Sequence, residues 1–140
     1  MTVCFAGHRY DWQNVNIENK LKQTLEDLIK QGYHTFFDGD KGYFDKLSAQ
    51  ILFELKKIYP QIKIYKVLST YNPKSIETRY DDTILPEIEE IFPKQKIIKR
   101  NQWIVDNSDV LICHIIETHK SGAYSTYKYA KKQNKIIIEI

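Results

Sequence analysis

The sequence predicts an α/β fold, a Rossmann-like three-layer sandwich in which helices cover both faces of a mostly parallel sheet. Short apolar runs without alternation, typical of strands buried on both faces, are separated by segments with helical periodicity. Strands joined through helices of this length form right-handed crossovers, which makes the sheet parallel. At 140 residues and 42% hydrophobic composition, we expect one domain over residues 1–140.

The first strand is predicted at residues 3–6, which are apolar and show no alternation. Apolar residues then recur at helical spacing from Ile17 to Ile29, which predicts the first helix. Asn14 or Asn16 is placed to cap that helix, and Gly32 is placed to end it.

A second strand is predicted at residues 33–37, followed by a break at residues 38–42 that contains two glycines. The next helix runs from Phe44 to Ile58 and ends before a proline. We expect Asp45 to cap it, because an aspartate side chain accepts hydrogen bonds from the first free amides of a helix.

The remaining chain supplies further strands and helices around one long polar loop at residues 69–83. Pro86 is predicted to start a short helix through residue 91, which Pro93 ends. The other predicted helices cover residues 99–106 and 122–133, and the other predicted strands cover residues 62–68, 110–116 and 136–140.

The composition excludes several classes of protein. A net charge of +3 is too weakly basic for a dedicated duplex-DNA binder but suits small anions as partners. Cys4 and Cys113 lie in apolar runs without CxxC spacing, so we expect buried free thiols. The four histidines lack metal-ligand spacing, so no metal is predicted. A cytoplasmic location without a membrane partner is expected, since no leader-like or membrane-spanning run occurs.

Three polar segments leave the predicted strand ends, at residues 7–9, 38–45 and 117–126. In open parallel sheets, ligands bind outside the carboxyl ends of the strands, so these segments should meet at one edge. The third places Ser121, Gly122, Ser125 and Thr126 at the start of a helix, where free amides and the helix dipole favour a phosphate. An ordinary serine N-cap is the alternative interpretation.

In the second segment, Gly39 and Gly42 permit backbone conformations that bring the chain close to a ligand. Asp38 and Asp40 are candidates to accept hydrogen bonds from sugar hydroxyls or to orient Arg9, and a solvated glycine loop is the alternative.

In the first segment, Arg9 suits bidentate recognition of phosphate, and His8 can donate or accept a hydrogen bond near neutral pH. The alternative is a local ion pair with Asp11. Arg100 begins a predicted helix near the same edge, although a surface arginine is its default interpretation. A Ser-His-Asp triad has no support from a nucleophile-elbow motif.

Four motifs occur in order along the chain: residues 4–9 read CFAGHR, residues 39–45 GDKGYFD, residues 100–109 RNQWIVDNSD and residues 121–130 SGAYSTYKYA. Together they resemble the SLOG superfamily, which links the DprA/Smf proteins with the LOG phosphoribohydrolases. The chain is most similar to the YpsA-like branch, also called DUF1273. That resemblance implies a Rossmann-like fold whose glycine loops bind a nucleotide, and it adds Ala123 to the site.

The resemblance favours binding over hydrolysis. LOG enzymes cleave the N-glycosidic bond of nucleoside monophosphates with the help of a glutamate in the motif PGGxGTxxE. Alignment on Thr126 places Tyr129 where that glutamate stands, and a phenol replaces a carboxylate poorly. Arg100 matches the LOG arginine. If the protein were an enzyme, catalytic roles would fall to Arg100, Asp45 and Tyr129.

Three functions therefore follow as hypotheses. The first is a sensor or sequestering protein for a nucleotide or ADP-ribose-like ligand, in nucleotide signalling or phage defence, with no cofactor. The second is a LOG-like phosphoribohydrolase with Asp38, Asp40 or Asp45 as its carboxylate. The third is single-stranded nucleic-acid binding as in DprA relatives. It would use the aromatic and basic residues Trp12, Trp103, Lys128, Lys131 and Lys132. Self-association as a homodimer or larger homo-oligomer is also expected.

Overall fold

The computed structural model describes residues 1–9, 16–39, 41–75, 77–88, 92–116 and 121–140. Its strands are β1 (Thr2–Gly7), β2 (Thr35–Asp38), β3 (Lys63–Val67), β4 (Asp82–Ile84), β5 (Val110–His114) and β6 (Ile136–Glu139). Its helices are α1 (Glu18–Lys30), α2 (Tyr43–Ile58), α3 (Pro93–Asp106) and α4 (Gly122–Lys132).

The six strands form one sheet in the order β4-β3-β2-β1-β5-β6, and every pairing in it is parallel. The predicted Rossmann-like α/β fold is confirmed, with a wholly parallel sheet where a mostly parallel one was expected. Successive strands step outward from β1 to β4, and the chain then returns to the other side of β1 as β5 and β6. The order therefore reverses between β1 and β5, where open α/β sheets bind ligands.

Two apolar clusters make the three layers. Alternate residues of a strand point to opposite faces, so Val3 and Phe5 of β1 join one cluster and Cys4 and Ala6 join the other. The first cluster packs the sheet against α1 and α2, and the second packs it against α3 and α4. Because β1 is apolar on both faces, it has the composition of a central parallel strand.

The predicted polar loop at residues 69–83 is wrong in part, because it contains a strand. Residues Asp82–Ile84 form β4 at the edge of the sheet, in register with Tyr65, Lys66 and Val67 of β3. A short 3-10 turn, Pro73–Ser75, precedes it. A three-residue edge strand with an aspartate and a threonine lacks the apolar run by which strands are recognised in sequence.

The roles predicted for two prolines are also wrong. Residues 85–88 form neither helix nor strand, and residues 89–91, where the predicted helix ended, lie outside the described residues. Pro93 does not end a helix but occupies the first turn of α3. Proline suits that position because its missing N–H would have no intrahelical partner there.

Of the predicted N-caps, the structure has the one at Ser121. The N-cap of α1 is Ile17, so Asn16 is not the cap, although its Oδ1 accepts a hydrogen bond from the Glu18 N–H at 3.2 Å; Asn14 lies outside the described residues. Ser121 caps α4, where its Oγ accepts from the Tyr124 N–H at 3.0 Å. The prediction for α2 is wrong, because Gly42 is the N-cap and Asp45 lies inside the first turn.

No helix within the described ranges has both the length and the apolar character needed to span a bilayer.

Candidate anion-binding site

A cavity of about 300 Å³ lies at the carboxyl end of β1, where the strand order reverses. We call it the anion pocket. Four segments contribute to its walls: the end of β1, the start of α2, the middle of α3 and the start of α4. The lining residues are Phe5, Ala6, Gly7, His8, Arg9, Lys41, Asp45, Ile97, Arg100, Asn101, Ser121, Gly122, Ala123 and Thr126.

Among the described residues, three cationic side chains line this pocket: Arg9, Lys41 and Arg100. The pKa of Lys41 is lowered from its usual value by burial and, after that, by the positive charges of Arg100 and Arg9. Lys41 is therefore close enough to both arginines to be repelled by them, with Asp45 as an acidic neighbour in the same wall. A bound anion would relieve that repulsion, because it would place a negative charge beside the cations.

Arg100 is buried, so its interpretation as a surface arginine is wrong. Only 2% of its surface is exposed, and Nη1 donates to the carbonyls of Val67 at 2.8 Å and Gly39 at 3.3 Å. Burial lowers the pKa of Arg100, and the nearby carboxylates of Asp45 and Asp38 oppose that shift. The guanidinium thus ties the carboxyl ends of β2 and β3 to α3 while presenting positive charge to the pocket.

The N-terminus of α4 faces the same space through Ser121, Gly122 and Ala123. Ser121 Oγ already accepts from the Tyr124 N–H, and Thr126 Oγ1 donates to the Gly122 carbonyl at 3.0 Å. These two hydroxyls therefore stabilise the helix end itself. Helix geometry leaves the amides of Gly122 and Ala123 without intrahelical acceptors, so they are the groups suited to an anion.

His8 joins the ends of the two central strands. It is buried, and its Nε2 accepts a hydrogen bond from the Ile116 N–H at 2.7 Å. Because that nitrogen is an acceptor, the proton of the neutral imidazole lies on Nδ1. His8 thereby positions the backbone after β5 beside the anion pocket.

The glycines of the first two segments make room for protein side chains. A methyl group on Gly7 would overlap the Phe44 ring, and one on Gly42 would lie 2.6 Å from Arg9 Cα. A methyl group on Gly39 would lie 3.0 Å from Arg100 Nη1. Gly122 differs, since no atom of the described residues lies within 4 Å of such a methyl group. At Gly39 and Gly42, where a close approach to a ligand was predicted, the space beside the glycine is therefore occupied by Arg100 and Arg9, and of these four glycines Gly122 alone has open space there.

The structure brings together most of the predicted site residues but not all of them. Gly39 packs against the Arg100 side chain and Gly42 against Arg9, and neither glycine lines the anion pocket. Ser125 and Tyr129 line an adjoining cavity. The Tyr129 hydroxyl donates to Asp106 Oδ1 at 2.7 Å, and this hydrogen bond raises the pKa of Tyr129. The residues Asp11, Trp12, Asp40 and those at 117–120, which the sequence predictions also used, lie outside the described residues.

Sequence reasoning did not assign Ile97, Asn101 or Lys41 to the site. Ile97, Arg100 and Asn101 stand at helical spacing, so they share one face of α3 that points into the anion pocket. That spacing was a usable signal once Arg100 was a candidate. Lys41 has no such periodicity that could have assigned it to the site.

Within the described ranges, no group of three or more His, Cys, Asp or Glu side chains is arranged to hold a metal ion.

No family model and no curated protein matches the sequence. Among solved structures, the chain is similar to DNA processing protein A (DprA) from Helicobacter pylori, with a TM-score of 0.65 and 16% identity. That protein is described for its unique mode of binding single-stranded DNA. DprA from Streptococcus pneumoniae matches with a TM-score of 0.65 and 14% identity. The chain is covered to 99% in both cases but spans only 64% and 49% of those proteins, so the likeness shows a shared fold.

Proposed function

We propose that this protein binds the phosphate of a nucleotide or nucleotide-derived small molecule in the anion pocket, as a sensor or sequestering protein. The observation that carries the proposal is the convergence of Arg9, Lys41 and Arg100 on one cavity beside the N-terminus of α4. Cationic side chains and free helix amides are both groups that commonly bind phosphate in proteins.

The location of the pocket supports the same proposal. It lies where the strand order reverses, and doubly wound sheets bind nucleotides at such a point. The four sequence motifs further support placing the chain in the YpsA-like branch of the SLOG superfamily, and the shared fold of the DprA proteins is compatible with that assignment.

The test is direct binding of AMP, GMP, CMP and inorganic phosphate by calorimetry, with Arg9→Ala and Lys41→Ala as variants. Each variant should weaken nucleotide binding by roughly tenfold or more, because a charge-assisted hydrogen bond to an anion contributes about 1.5–3 kcal/mol. Lys22→Ala is the matched control, since Lys22 is exposed on α1 at the opposite face of the sheet.

The outcomes separate the alternatives. Equal affinity for wild type and both pocket variants would contradict the proposal. Release of free base during incubation would instead favour the phosphoribohydrolase hypothesis, for which Asp45 is the carboxylate that the structure places in the pocket. In that case Asp45→Asn should abolish base release without abolishing nucleotide binding.

Single-stranded nucleic acid is the second candidate ligand, favoured by the fold shared with a DprA that binds single-stranded DNA. On α4, Lys128 lies over the Tyr124 ring at 5.6 Å and Lys131 over the Tyr127 ring at 5.3 Å. The two rings stack with their centroids 6.2 Å apart. Exposed aromatic rings with lysines are typical of surfaces on which bases stack and phosphates pair.

This second candidate predicts that oligo-dT binds and that its affinity falls steeply as salt is raised. Lys128→Ala combined with Lys131→Ala should weaken oligo-dT binding while leaving AMP affinity unchanged. No binding of oligo-dT at low salt would exclude it.

A further inference from the structure

The anion pocket adjoins the first of two more cavities that lie along α3 and α4. A middle cavity of about 290 Å³ shares Arg9, Asn101 and Gly122 with the anion pocket. A distal cavity of about 540 Å³, which Glu87 and Ile88 also line, shares Gln102 and Tyr129 with the middle one. Because each cavity shares lining residues with the next, the three lie in a row along one path, which we call the α3–α4 groove.

The character of the walls changes along this path. The anion pocket carries Arg9, Lys41 and Arg100. The middle cavity is also lined by cationic side chains, Arg9 and Lys94, but there Ile98 of α3 and Tyr129 of α4 join the lining. Ile98 is 46% exposed although it is apolar. Flat apolar walls with an aromatic ring suit a nucleobase, and they offer little to a phosphate.

Amide groups stand at both junctions of the groove. Asn101 Oδ1 accepts from Arg100 Nε at 2.9 Å, so the amide NH₂ of Asn101 is the group that remains to donate between the anion pocket and the middle cavity. Gln102 lies between the middle and distal cavities. Amides at such positions can recognise the edges of a ring or a linking sugar.

We propose that the α3–α4 groove binds a compound with two nucleoside units joined by phosphate, with a phosphate in the anion pocket and the base of the second nucleoside against Tyr129. This inference rests on the proposed phosphate binding and names its substrate class. The anion pocket alone, at about 300 Å³, is at the lower end of the size of small-molecule sites, about 300–1,000 Å³. A ligand too long for the anion pocket would extend along the whole α3–α4 groove.

The hydrogen bond from Tyr129 to Asp106 supports this role for the ring. It holds the phenol in a fixed orientation between the middle and distal cavities. An aromatic ring that is already ordered loses little entropy when a base stacks on it. Tyr129 is thus assigned as a specificity-determining residue through its ring and not through its hydroxyl.

The experiment compares inorganic phosphate, AMP, 5′-phosphorylated ApA and diadenosine diphosphate by calorimetry at one salt concentration. A parallel series uses TMP and 5′-phosphorylated TpT. At least one dinucleotide should bind roughly tenfold more tightly than its mononucleotide, because stacking of one base on an aromatic side chain has about that effect. The two linkages distinguish a phosphodiester from a pyrophosphate source.

The groove is tested with two variants and a matched control. Tyr129→Ala should remove the dinucleotide advantage and leave AMP affinity unchanged, which also shows that the variant is folded. Tyr129→Phe keeps the ring but loses the hydrogen bond to Asp106 that orders it, so it should retain most of the advantage. Gly122 lies at the junction of the anion pocket and the middle cavity, where an added side chain would project into open space. Gly122→Leu should therefore block binding of the dinucleotides as well.

The outcomes distinguish the two proposals. AMP binding that depends on Arg9 and Lys41, with no tighter binding of any dinucleotide, would overturn the groove and leave phosphate binding intact. A dinucleotide advantage that survives Tyr129→Ala would overturn the groove too. If none of the compounds binds, both proposals are wrong.

Discussion

At the scale of single residues, Gly7 and Gly42 are required by the packing of neighbouring residues. Gly7 ends β1 directly against the Phe44 ring, and Gly42 adopts a φ of +90° beside the backbone of Arg9. Both positions exclude a side chain, the first by space and the second by space and conformation. The motifs that contain these glycines therefore hold Arg9 and the start of α2 in place beside the pocket.

Gly7→Ala should lower the free energy of unfolding by about 1–3 kcal/mol, the usual cost of inserting a methyl group into a packed site. The reason is the overlap with Phe44, a ring that is itself 1% exposed and cannot move into solvent. Urea denaturation followed by circular dichroism measures the change. Gly122→Ala is the control and should be unchanged or slightly more stable, because its methyl group meets no described atom. Equal losses in both variants would contradict this explanation.

Arg100→Ala should lower the stability of the protein as well as any ligand affinity. The substitution leaves the carbonyls of Val67 and Gly39 without their donor, and each buried unsatisfied group costs about 1–3 kcal/mol. Thermal unfolding of the free protein measures this effect. Arg9→Ala, by contrast, alters an exposed side chain and should leave the melting temperature nearly unchanged. If Arg100→Ala melts like the wild type, the structural role assigned to Arg100 is wrong.

At the scale of elements, the helices and strands that can be predicted from the sequence are those with a strong apolar pattern. Five of the six strands, and the helices with strong apolar patterns, were predicted close to their positions. Burial gives such segments a recognisable run or periodicity of apolar residues. β4 was missed because a three-residue edge strand is held by backbone pairing and buries only part of one face, so it leaves no apolar pattern in the sequence. The start of α3 was missed because Lys94, Gln95 and Lys96 carry no apolar signal, so the helix was recognised only from residue 99.

β4 is positioned by a charge cluster that no periodicity reveals. Asp81, just before the strand, accepts hydrogen bonds from Lys56 Nζ and from the Ile64 N–H at 2.8 Å, with Lys63 Nζ 3.8 Å away. Burial acts to raise the pKa of Asp81, but the hydrogen bonds and the two lysines outweigh it, so the pKa is lowered below 3.8. The carboxylate thereby fixes the edge of the sheet to α2.

Asp81→Asn should lower the free energy of unfolding at pH 7 by about 1–3 kcal/mol, since hydrogen bonds to a charged group are lost. The carboxylate binds protons less readily when folded than when unfolded. Its contribution is therefore full above pH 3.8 and is lost as the pH falls through the lower folded value. The difference between wild type and variant, measured by urea denaturation from pH 7 to pH 3, should shrink accordingly. Glu54→Gln, on the exposed face of α2, should show no such difference, and a pH-independent gap for Asp81→Asn would contradict the assigned role.

At the scale of the whole molecule, topology determines where the site forms. The order of the strands brings the ends of β1 and β5 together, and the segments that follow them converge there from distant parts of the sequence. Sequence reasoning could therefore predict which edge holds the pocket. It could not predict that Arg100 is buried, because that depends on how α3 packs over the ends of β2 and β3. Nor could it predict that Ser125 and Tyr129 line the next cavity, which depends on how α3 packs against α4.

The same three-layer packing protects both thiols. Cys4 and Cys113 lie on adjacent central strands in the cluster under α3 and α4, and each is at most 1% exposed. Burial raises the pKa of both to about 12, so almost no reactive thiolate forms at neutral pH. Reaction with a thiol reagent then requires the sheet to separate from these helices, which is close to global unfolding.

Labelling with iodoacetamide should therefore be very slow in native buffer and should modify both cysteines together as urea approaches the unfolding midpoint. Mass spectrometry of the intact protein over time should show unmodified and doubly modified chains with few singly modified ones. Cys113→Ser, which places a hydroxyl in the same buried cluster, should accelerate labelling of Cys4 because it destabilises the fold. Fast modification of one cysteine in the native state would instead mean that α3 or α4 opens independently of the sheet, in which case the α3–α4 groove would not be a fixed feature of the fold.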